Sequence, residues 1–300
     1  MNESTELVSA VITTHNRLDY LKRAIDSVLT QTYPNIECIV VSDASTDGTD
    51  EYCNGRSDIK FISIPKSESH GGNYARNLGI KAAKGKYIAF LDDDDAWLPT
   101  KIEKQYQLAE EKKSSLVYCQ RIFEYVANGK VYKRVPMKGK SLEGNLKESI
   151  FRHHITNTSC IFARKDTLYE IGLYDENLLK WQEYDLMIRL AAVTNIYCVS
   201  ECLCFYTVNT SDGQRISNDS DRVPKTIKYY KKKYKKSLKE LSFKDRVYFE
   251  QMCYEELYGR RKYNAKLSAR MKYFFPFVTL SIIKALYSPK WIIGVIKRRL

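Results

Sequence analysis

The chain has 300 residues, of which 44% are hydrophobic and 28% are charged, and its formal net charge is +13. This composition excludes an intrinsically disordered protein, and the length suits one large domain with an appendage or two small domains. The 8 cysteines are irregularly spaced and form no Cys-x-x-Cys pair, which argues against a structural zinc site or a disulfide framework. Because the first residues lack the basic and apolar regions of a signal peptide, we expect a cytoplasmic protein with reduced thiols.

The positive charge is concentrated in the last quarter of the chain. Residues 222–300 contain 22 Lys and Arg against 5 Asp and Glu, a net charge of +17. Residues 1–221 contain 27 against 31, a net charge of −4. A polar, turn-forming segment that follows Asn209 separates the two parts. We therefore expect two regions, 1–221 and 222–300, and an anionic partner for the second, either a membrane or a nucleic acid.

Up to residue 112, apolar β-branched runs alternate with segments whose apolar residues recur at helical spacing. The predicted strands span 7–13, 36–41, 60–64 and 87–91, and the predicted helices span 17–30, 47–53, 73–83 and 101–112. This alternation predicts right-handed βαβ crossovers and an α/β fold with a mostly parallel, Rossmann-like sheet flanked by helices. The fingerprint Gly-x-Gly-x-x-Gly is absent, so the sequence does not indicate a dinucleotide-binding protein.

The remaining elements follow a less regular order. The pattern predicts a strand that begins at 116–118, a loop or hairpin at 127–145, a strand at 158–163, helices at 166–171 and 184–193, and late strands at 196–207. From Pro224 onward it predicts helices only.

An acidic run, Asp92 to Asp95, directly follows the apolar strand that begins at Tyr87. Four adjacent carboxylates repel one another, and none can be buried cheaply without a partner. One or two of them could hold a divalent cation whose shell is completed by phosphate oxygens. Because ligands of open α/β sheets bind beyond the carboxyl ends of the strands, this position favours a ligand site. The alternative is a solvated acidic turn that caps the next helix.

Five segments, in this order, resemble those of a known protein family. They read Val11-Ile-Thr-Thr-His-Asn-Arg17, Val40-Val-Ser-Asp-Ala-Ser-Thr-Asp-Gly48, Ala75-Arg-Asn-Leu-Gly79, Phe90-Leu-Asp-Asp-Asp-Asp-Ala-Trp-Leu-Pro99 and Gln182-Glu-Tyr-Asp-Leu-Met-Ile-Arg189. Over about residues 6–210, the chain resembles a family 2 glycosyltransferase with the GT-A fold, of the type found in bacterial polysaccharide biosynthesis. The resemblance implies a catalytic domain at 1–221. The tail at 222–300 is not part of the family pattern, and its basic charge and apolar end predict a helical, membrane-associating region.

The resemblance also implies roles for residues of the first four segments. The residues implied to bind a nucleotide-sugar donor are Thr13, His15, Asp43, Arg76, Asp92 and Asp93. Asp94, together with Asp92, is implied to bind a divalent metal, Mn²⁺ or Mg²⁺. We expect Asp95 to begin the helix that contains Trp97.

Several of these residues also have a structural interpretation. His15 is alternatively a capping or solvated loop residue. Asp43 is alternatively the start of an Asx turn with Ser45 and Thr46. Arg76 is alternatively the partner of an acidic neighbour, such as an aspartate of the acidic run. Asp47 is expected to cap the helix that follows it.

The fifth segment is implied to carry the catalytic base. The resemblance assigns this role to Glu183, which would take the proton of the acceptor hydroxyl, and shielding by Trp181 and Tyr184 would raise its pKa. Asp185 is the rival candidate, and its alternative role is that of a carboxylate favoured at a helix N-terminus.

The end of the chain is apolar but interrupted. Residues 274–296 contain Pro276, Lys284, Pro289 and Lys290, and are therefore a poor match to a membrane-spanning helix of about 20 apolar residues. They suit interfacial helices on an anionic membrane surface. Nucleic acid is a less favoured partner because it gives the apolar residues no role, and packing on the core or on a second subunit is a third possibility.

Together these observations predict a metal-dependent inverting glycosyltransferase. The enzyme is expected to use a nucleotide-diphosphate donor, UDP-linked by preference, and a hydroxyl of a glycan or lipid-linked acceptor. We expect it to work at the inner face of the cell membrane as a peripheral protein, without binding nucleic acid. The alternatives are a catalytically inactive GT-A-like nucleotide-binding or scaffold protein, and a nucleic-acid-binding protein that acts through its basic tail.

Overall fold

A computed structural model of the protein describes residues 5–127, 129–137, 141–209, 222–264, 276 and 278–283. Most of the predicted interfacial segment at 274–296 lies outside these residues, as does the polar segment at 210–221. The chain divides into two compact units. The first consists of Met1–Leu146, Ile155–Asn177 and Gln182–Asp212, and the second of Lys147–His154, Leu178–Trp181 and Gly213–Leu300.

A mixed sheet forms the centre of the first unit. Its strands within the described residues are β1 (Val8–Thr14), β2 (Ile36–Asp43), β3 (Lys60–Ile64), β4 (Tyr87–Asp92), β5 (Ala96–Trp97), β6 (Leu116–Ala127), β7 (Lys130–Pro136), β8 (Ile161–Arg164) and β9 (Ile196–Val208). Their order is β3-β2-β1-β4-β8-β6-β9-β5, and β7 pairs with β6 outside this path. Strands β1 to β4 pair in parallel, as does β6 with β9, whereas β8 is antiparallel to both of its neighbours.

The helices of the first unit are α1 (Leu18–Leu29), α2 (Thr49–Asn54), α3 (Gly72–Ala82), α4 (Lys101–Lys112), α5 (Lys165–Glu170) and α6 (Gln182–Ala191). Helix α1 buries Leu21, Ala24, Ile25 and Val28, which is the spacing of one helical face. This face shares a core with Ala10 and Ile12 of β1.

Helix α3 packs against the opposite face of β1. Val11 lies between Ala10 and Ile12, so its side chain points to the other side of the sheet. A Cβ atom at Gly79 of α3 would overlap a methyl group of Val11, so only glycine permits this approach. Helices therefore cover both faces of the sheet, and the predicted α/β architecture is confirmed.

Most of the elements predicted up to residue 112 agree closely with the structure. Strand β3 and helix α4 have the predicted bounds, and the other elements of this part differ by one or two residues. One later prediction was wrong in extent, because Thr158–Cys160 is a 3-10 turn and the strand predicted at 158–163 begins only at Ile161, the start of β8. The strand predicted to begin at Leu116 does so, and it continues to Ala127. The predicted hairpin is present, because β7 pairs antiparallel with the end of β6.

The prediction of reduced thiols agrees with the structure. All 8 cysteines are free, and all except the half-buried Cys202 are buried. Burial raises the pKa of the Cys38 thiol to about 12 and that of Cys53 to about 11. These thiols are therefore protonated at neutral pH and act as small apolar core residues.

The second unit is helical in its described part. It contains α7 (Arg222–Lys233), α8 (Lys235–Glu240) and α9 (Phe243–Asn264), and a 3-10 turn at Ser149–Arg152. Phe151 of this turn contacts the rings of Tyr234 and Phe249, and Arg152 pairs with Asp245 at 2.8 Å. Within the residues described above, no helix has the length and apolar character needed to cross a membrane.

Candidate functional site

Three neighbouring parallel strands of the first unit place their carboxyl ends side by side. Strand β1 lies between β2 and β4, and the register pairs Thr14 with Ser42 and Thr13 with Asp92. Because the chain leaves β1 toward β2 and later returns to β4 on the other side, the strand order reverses at β1. Open α/β sheets bind ligands at such a switch point. We refer to this edge, formed by the ends of β1, β2 and β4, as the carboxyl edge.

Asp43, at the end of β2, has a carboxylate oxygen available for a ligand. The residue is 8% exposed, and its Oδ1 is buried without a hydrogen-bond partner among the described residues. A buried polar atom usually has a partner, so this oxygen is a candidate acceptor for a bound group. The alternative Asx turn is not formed, because Ser45 Oγ accepts the backbone N–H of Asn16, and the N–H of Thr46 donates to Asn16 Oδ1 at 2.7 Å.

The turn that follows β1 is hydrogen-bonded to the end of β2. His15 is exposed, and its Nδ1 lies 2.5 Å from the backbone oxygen of Asp43. Thr13 is half-buried at the same edge. Asp47 accepts the backbone N–H groups of Thr49 and Leu18, the first residues of α2 and α1, so its predicted capping role is confirmed and extends to a second helix.

The acidic run forms a tight turn in which the backbone N–H of Asp95 donates to the oxygen of Asp92. Arg17, from the turn after β1, reaches two of its carboxylates. Its Nη1 lies 3.2 Å from Asp93 and 3.4 Å from Asp94, and all three side chains are at most 13% exposed. Sequence analysis missed this contact, although Arg17 ends the first segment that carries the family resemblance. No signal in the sequence relates it to carboxylates 76 and 77 positions away.

Arg76 forms the ion pair that was its alternative role, and its predicted role in donor binding stays a prediction. It lies one turn into α3, near a helix N-terminus, and its Nη2 is 2.7 Å from Asp92. Burial would lower the pKa of Arg76, but the negative charges of Asp92 and Glu183 raise it above the usual value. A Cβ atom at Gly72 would lie 3.1 Å from the Arg76 guanidinium, so the glycine leaves room for it. The structure therefore places a buried cation beside the acidic run.

The prediction for Asp95 was wrong. Asp95 does not begin a helix, because Ala96 and Trp97 form strand β5 and α4 begins at Lys101. Its carboxylate is fully buried, where it accepts the Ser159 hydroxyl at 2.5 Å and the backbone N–H of Thr207 at 2.9 Å. Asn157 donates to the same carboxylate at 3.3 Å. Asp95 thus fastens the acidic turn to the segment before β8 and to the end of β9.

The acidic turn keeps a surplus of negative charge. Burial and the charge of Asp94 raise the pKa of Asp93 to about 7, although Arg17 opposes the shift. Burial and the charges of Asp94 and Asp92 raise the pKa of Asp95 well above its usual range. Two arginines therefore compensate the aspartates only in part, so an additional cation would be favourable at this turn.

The donor atoms of the turn fit a hard divalent cation. Over the described ranges, no three His, Cys, Asp or Glu side chains converge into a preformed metal cage. Mg²⁺-type sites do not need such a cage, because one or two carboxylates suffice when phosphate oxygens and water complete the shell. Carboxylate oxygens are also ligands that suit Mn²⁺. Asp92 and Asp94 can therefore hold a metal together with a bound phosphate group.

The two candidate bases have different surroundings on α6. Glu183 is half-buried in the first turn, and its charge contributes to the raised pKa values of Arg76 and Tyr174. Asp185 is fully buried, and its carboxylate accepts Arg189 Nε at 2.8 Å and Nη2 at 2.7 Å. Of the two carboxylates, only that of Glu183 is accessible to a substrate. Asp185 instead forms an ion pair with Arg189 of the same helix, which is a structural role.

Comparison with known proteins identifies the family. The family model described as Glycosyl transferase family 2 matches residues 9–170, more than half of the chain. The chain belongs to glycosyl transferase family 2. The matched range contains β1 to β4, the acidic run and α3, whereas α6 with Glu183 and Asp185 lies beyond it.

Two relatives within the family are similar in sequence. An uncharacterized glycosyltransferase of Rickettsia prowazekii is 35% identical over 206 residues, which cover 67% of this chain and 64% of the relative. The UDP-Glc:alpha-D-GlcNAc-diphosphoundecaprenol beta-1,3-glucosyltransferase WfaP of Escherichia coli is 42% identical over 119 residues, which cover 40% of this chain and 47% of the relative. The chain thus spans slightly less than two thirds of the first relative and about half of the second.

Solved structures show the same fold. TarS of S. aureus, in complex with UDP-GlcNAc, has a TM-score of 0.63 at 17% identity, covering 91% of this chain and 81% of TarS. Mannosyltransferase PcManGT of Pyrobaculum calidifontis, in complex with GDP-Man and Mn²⁺, has a TM-score of 0.61 at 14% identity, covering 96% of this chain and 82% of PcManGT. At such low identity these likenesses establish the fold, which is the GT-A fold that the sequence predicts.

Proposed function

We propose that this family 2 protein is an inverting, metal-dependent glycosyltransferase that moves a sugar from a UDP-linked donor onto a hydroxyl of a glycan or lipid-linked acceptor. The observation that carries the proposal is the carboxyl edge, where the unpartnered oxygen of Asp43 at the end of β2 and the partly compensated acidic run at the end of β4 lie on either side of β1. The name of WfaP, with its UDP-Glc donor and diphosphoundecaprenol-linked acceptor, supports the choice of substrates. TarS bound to UDP-GlcNAc supports it as well.

The nucleotide is proposed to bind at the ends of β1 and β2. The buried Oδ1 of Asp43 would accept the imide N–H of a uracil ring, since a charged acceptor forms the stronger hydrogen bond. Thr13 and His15, at the end of β1 and in the turn after it, would contact the same nucleoside. The hydrogen bond between His15 and the Asp43 backbone would hold the two contacts together.

The diphosphate is proposed to lie between the N-terminus of α3 and the acidic turn. A helix N-terminus and a guanidinium both attract anions, and Arg76 supplies the guanidinium near that terminus. Asp94 and Asp92 would hold the divalent metal, which PcManGT's Mn²⁺ supports, and Asp93 would contribute on the donor side. The metal would neutralise charge that develops on the leaving diphosphate.

Glu183 is proposed to act as the general base. Its carboxylate would take the proton from the acceptor hydroxyl as the hydroxyl oxygen attacks the anomeric carbon and the bond to the diphosphate breaks. This single displacement inverts the configuration at the anomeric carbon. Its half-buried position and its electrostatic interaction with Arg76 support the role, whereas the ion pair of Asp185 with Arg189 disfavours Asp185.

The proposed setting is the inner face of the cell membrane. In this proposal residues 1–221 form the catalytic domain and residues 222–300 associate with anionic lipid. The net charge of +17 in residues 222–300 supports an anionic surface as partner. The apolar residues at 274–296 favour a membrane over a nucleic acid.

A panel of nucleotide sugars tests the proposed function. The full-length protein would be incubated with each donor in the presence of Mn²⁺ or of a chelator, and release of the nucleotide would be measured. We expect release from a UDP-sugar that chelation abolishes, and that Asp94→Asn reduces strongly because a neutral amide is a poor ligand for a hard cation. Glu170→Gln, an exposed carboxylate at the end of α5, is the matched control and should behave as the wild type. Absence of release from every donor would favour the inactive nucleotide-binding alternative.

A further inference from the structure

The second unit contains a basic cavity that the proposed transfer reaction does not use. The cavity has a volume of about 220 Å³ and lies among α7, α8 and α9. Its charged lining residues are Lys231, Lys235, Lys239, Arg246 and Glu250. Since a water molecule occupies about 30 Å³ in the liquid, this volume has room for a tetrahedral phosphate or a diphosphate.

Among the described residues, three of the four cations in the cavity have no carboxylate partner. Lys231 pairs with Glu250 at 2.7 Å, and this contact raises the pKa of Lys231 although burial opposes the shift. Lys235, Lys239 and Arg246 form no ion pair within the described part of the chain. The lining therefore carries three uncompensated positive charges.

The three cations without a carboxylate partner all line the cavity. Lys235 and Lys239 are four residues apart on α8, so they lie on one face of that helix. The guanidinium of Arg246 donates to the backbone oxygens of Lys239 at 3.0 Å and Leu241 at 3.4 Å, which fixes it at the junction of α8 and α9. Arg246 keeps further donors, because a guanidinium has five N–H groups.

The floor of the cavity is apolar. Phe249 is 1% exposed and contacts the ring of Phe151, and the half-buried Leu238 also lines the space. Cations above an apolar floor match an anionic headgroup whose neighbouring part is hydrocarbon.

We propose that this cavity is a binding site for a phosphate group, with Lys235, Lys239 and Arg246 as its cationic ligands. A phosphate monoester carries about 1.5 to 2 negative charges at neutral pH, a lipid phosphodiester carries about one, and both present strong acceptor oxygens that the three cations can match. The phosphate could belong to a membrane lipid or to the diphosphate of a lipid-linked acceptor. The choice of these sources rests on the proposed function, whereas the binding of phosphate itself does not.

Two charge-matched double variants of the full-length protein test the site. Lys235→Gln with Lys239→Gln removes two cations that line the cavity, and Lys232→Gln with Lys236→Gln removes two exposed cations outside it. The general attraction of the chain for anions falls equally in both variants. Circular dichroism and thermal unfolding would verify that both fold as the wild type does.

Binding would be measured in two arms with a chelator present, so that a metal-bound phosphate at the acidic turn does not contribute. One arm titrates inorganic pyrophosphate by calorimetry, and the other sediments the protein with phosphatidylglycerol or phosphatidylcholine vesicles. We expect the cavity variant to lose at least tenfold in affinity in one or both arms while the control variant changes less than twofold. Loss for pyrophosphate alone identifies a soluble or acceptor diphosphate, and loss for anionic vesicles identifies a lipid headgroup.

Equal losses of affinity in the two double variants, or no binding in either arm, would contradict the proposal that the cavity binds phosphate. Neither arm measures turnover, so this result would leave the proposed glycosyl transfer untouched. Conversely, failure of the donor panel would leave binding of phosphate at the cavity intact.

Discussion

Each aspartate of the acidic run has partners from a different part of the chain. Asp92 pairs with Arg76, Asp93 and Asp94 share Arg17, and Asp95 is held by hydrogen bonds from two segments. These contacts hold the like charges of the run together. Two arginines face four carboxylates, and burial together with the charge of Asp94 raises the pKa of Asp93.

The titration of Asp93 predicts a pH dependence of stability. Its folded-state pKa of about 7 lies above 3.8, the ordinary value of an aspartate in an unfolded chain. The stability that its proton provides is therefore fully present below pH 3.8 and is lost as the pH rises through 7. Relative to Asp93→Asn, the metal-free wild type should lose about 1–4 kcal/mol of unfolding free energy between pH 4 and 8.

Urea denaturation of the wild type and Asp93→Asn at a series of pH values, with a chelator present, measures this difference. Both proteins contain every other titratable group, so the difference between their unfolding free energies reports on the titration of Asp93. Parallel stability curves would contradict the raised pKa.

The unpartnered oxygen of Asp43 predicts a selective loss of nucleotide affinity. Asp43→Asn keeps the size of the side chain but replaces the charged acceptor. Because a hydrogen bond to a charged group contributes about 1.5–3 kcal/mol, UDP affinity should fall about 10- to 100-fold. Turnover at saturating donor should change much less. Calorimetric titration with UDP measures the loss, and Asp19→Asn, whose side chain is 99% exposed, serves as the control. Unchanged affinity in Asp43→Asn would remove Asp43 from the proposed nucleotide site.

At the scale of elements, the segment before β8 supports the acidic turn. The hydroxyl of Ser159 donates to the Asp95 carboxylate and accepts the backbone N–H of Asp92. The indole of Trp97 donates to the Ser159 backbone oxygen. One serine thus connects the beginning and end of the turn.

Ser159→Ala should therefore weaken both the fold and the site. Removing the hydroxyl leaves a buried carboxylate with fewer donors, which costs about 1–3 kcal/mol. Chemical denaturation would measure this loss, and the concentration of Mn²⁺ needed for half-maximal nucleotide release should rise as the turn becomes less ordered. The exposed Ser57→Ala is the control. A variant as stable as the wild type would show that the turn does not depend on Ser159.

Strand β6 shows why part of the fold could not be predicted. The sequence indicates its beginning at Leu116, but Arg121 and Glu124 interrupt the apolar pattern. Glu124 is nevertheless fully buried, because Arg23 and Arg134 pair with it at 2.5 Å and 2.8 Å. Local hydrophobic patterns do not reveal partners that lie far away in the chain. The family segments likewise indicated the positions of the acidic run and Arg76, but not the pairing of Arg17 with Asp93 and Asp94.

At the scale of the whole molecule, two features could be predicted from the sequence. They are the parallel strands β1 to β4 and the division into a slightly acidic part at 1–221 and a strongly basic part at 222–300. Strands β1 to β4 could be predicted from apolar runs, because parallel strands are buried on both faces. The helices between them could be predicted from the helical spacing of their apolar residues. The sites at their ends follow from the family segments. The roles of the residues at these strand ends, of Glu183 and of the basic region at 222–300 all remain predictions, and α6 and the basic region also lie beyond the residues that the family model matches.

The central claim is that the carboxyl edge and Glu183 form one site for glycosyl transfer. The most direct measurement compares wild type and Glu183→Gln in transfer to an acceptor, with the donor that the panel identifies. Loss of a general base typically reduces the rate about 10²- to 10⁴-fold, while binding of the donor should be nearly unchanged. Transfer at the wild-type rate, or a loss of donor binding that accounts for the whole decrease, would contradict the account.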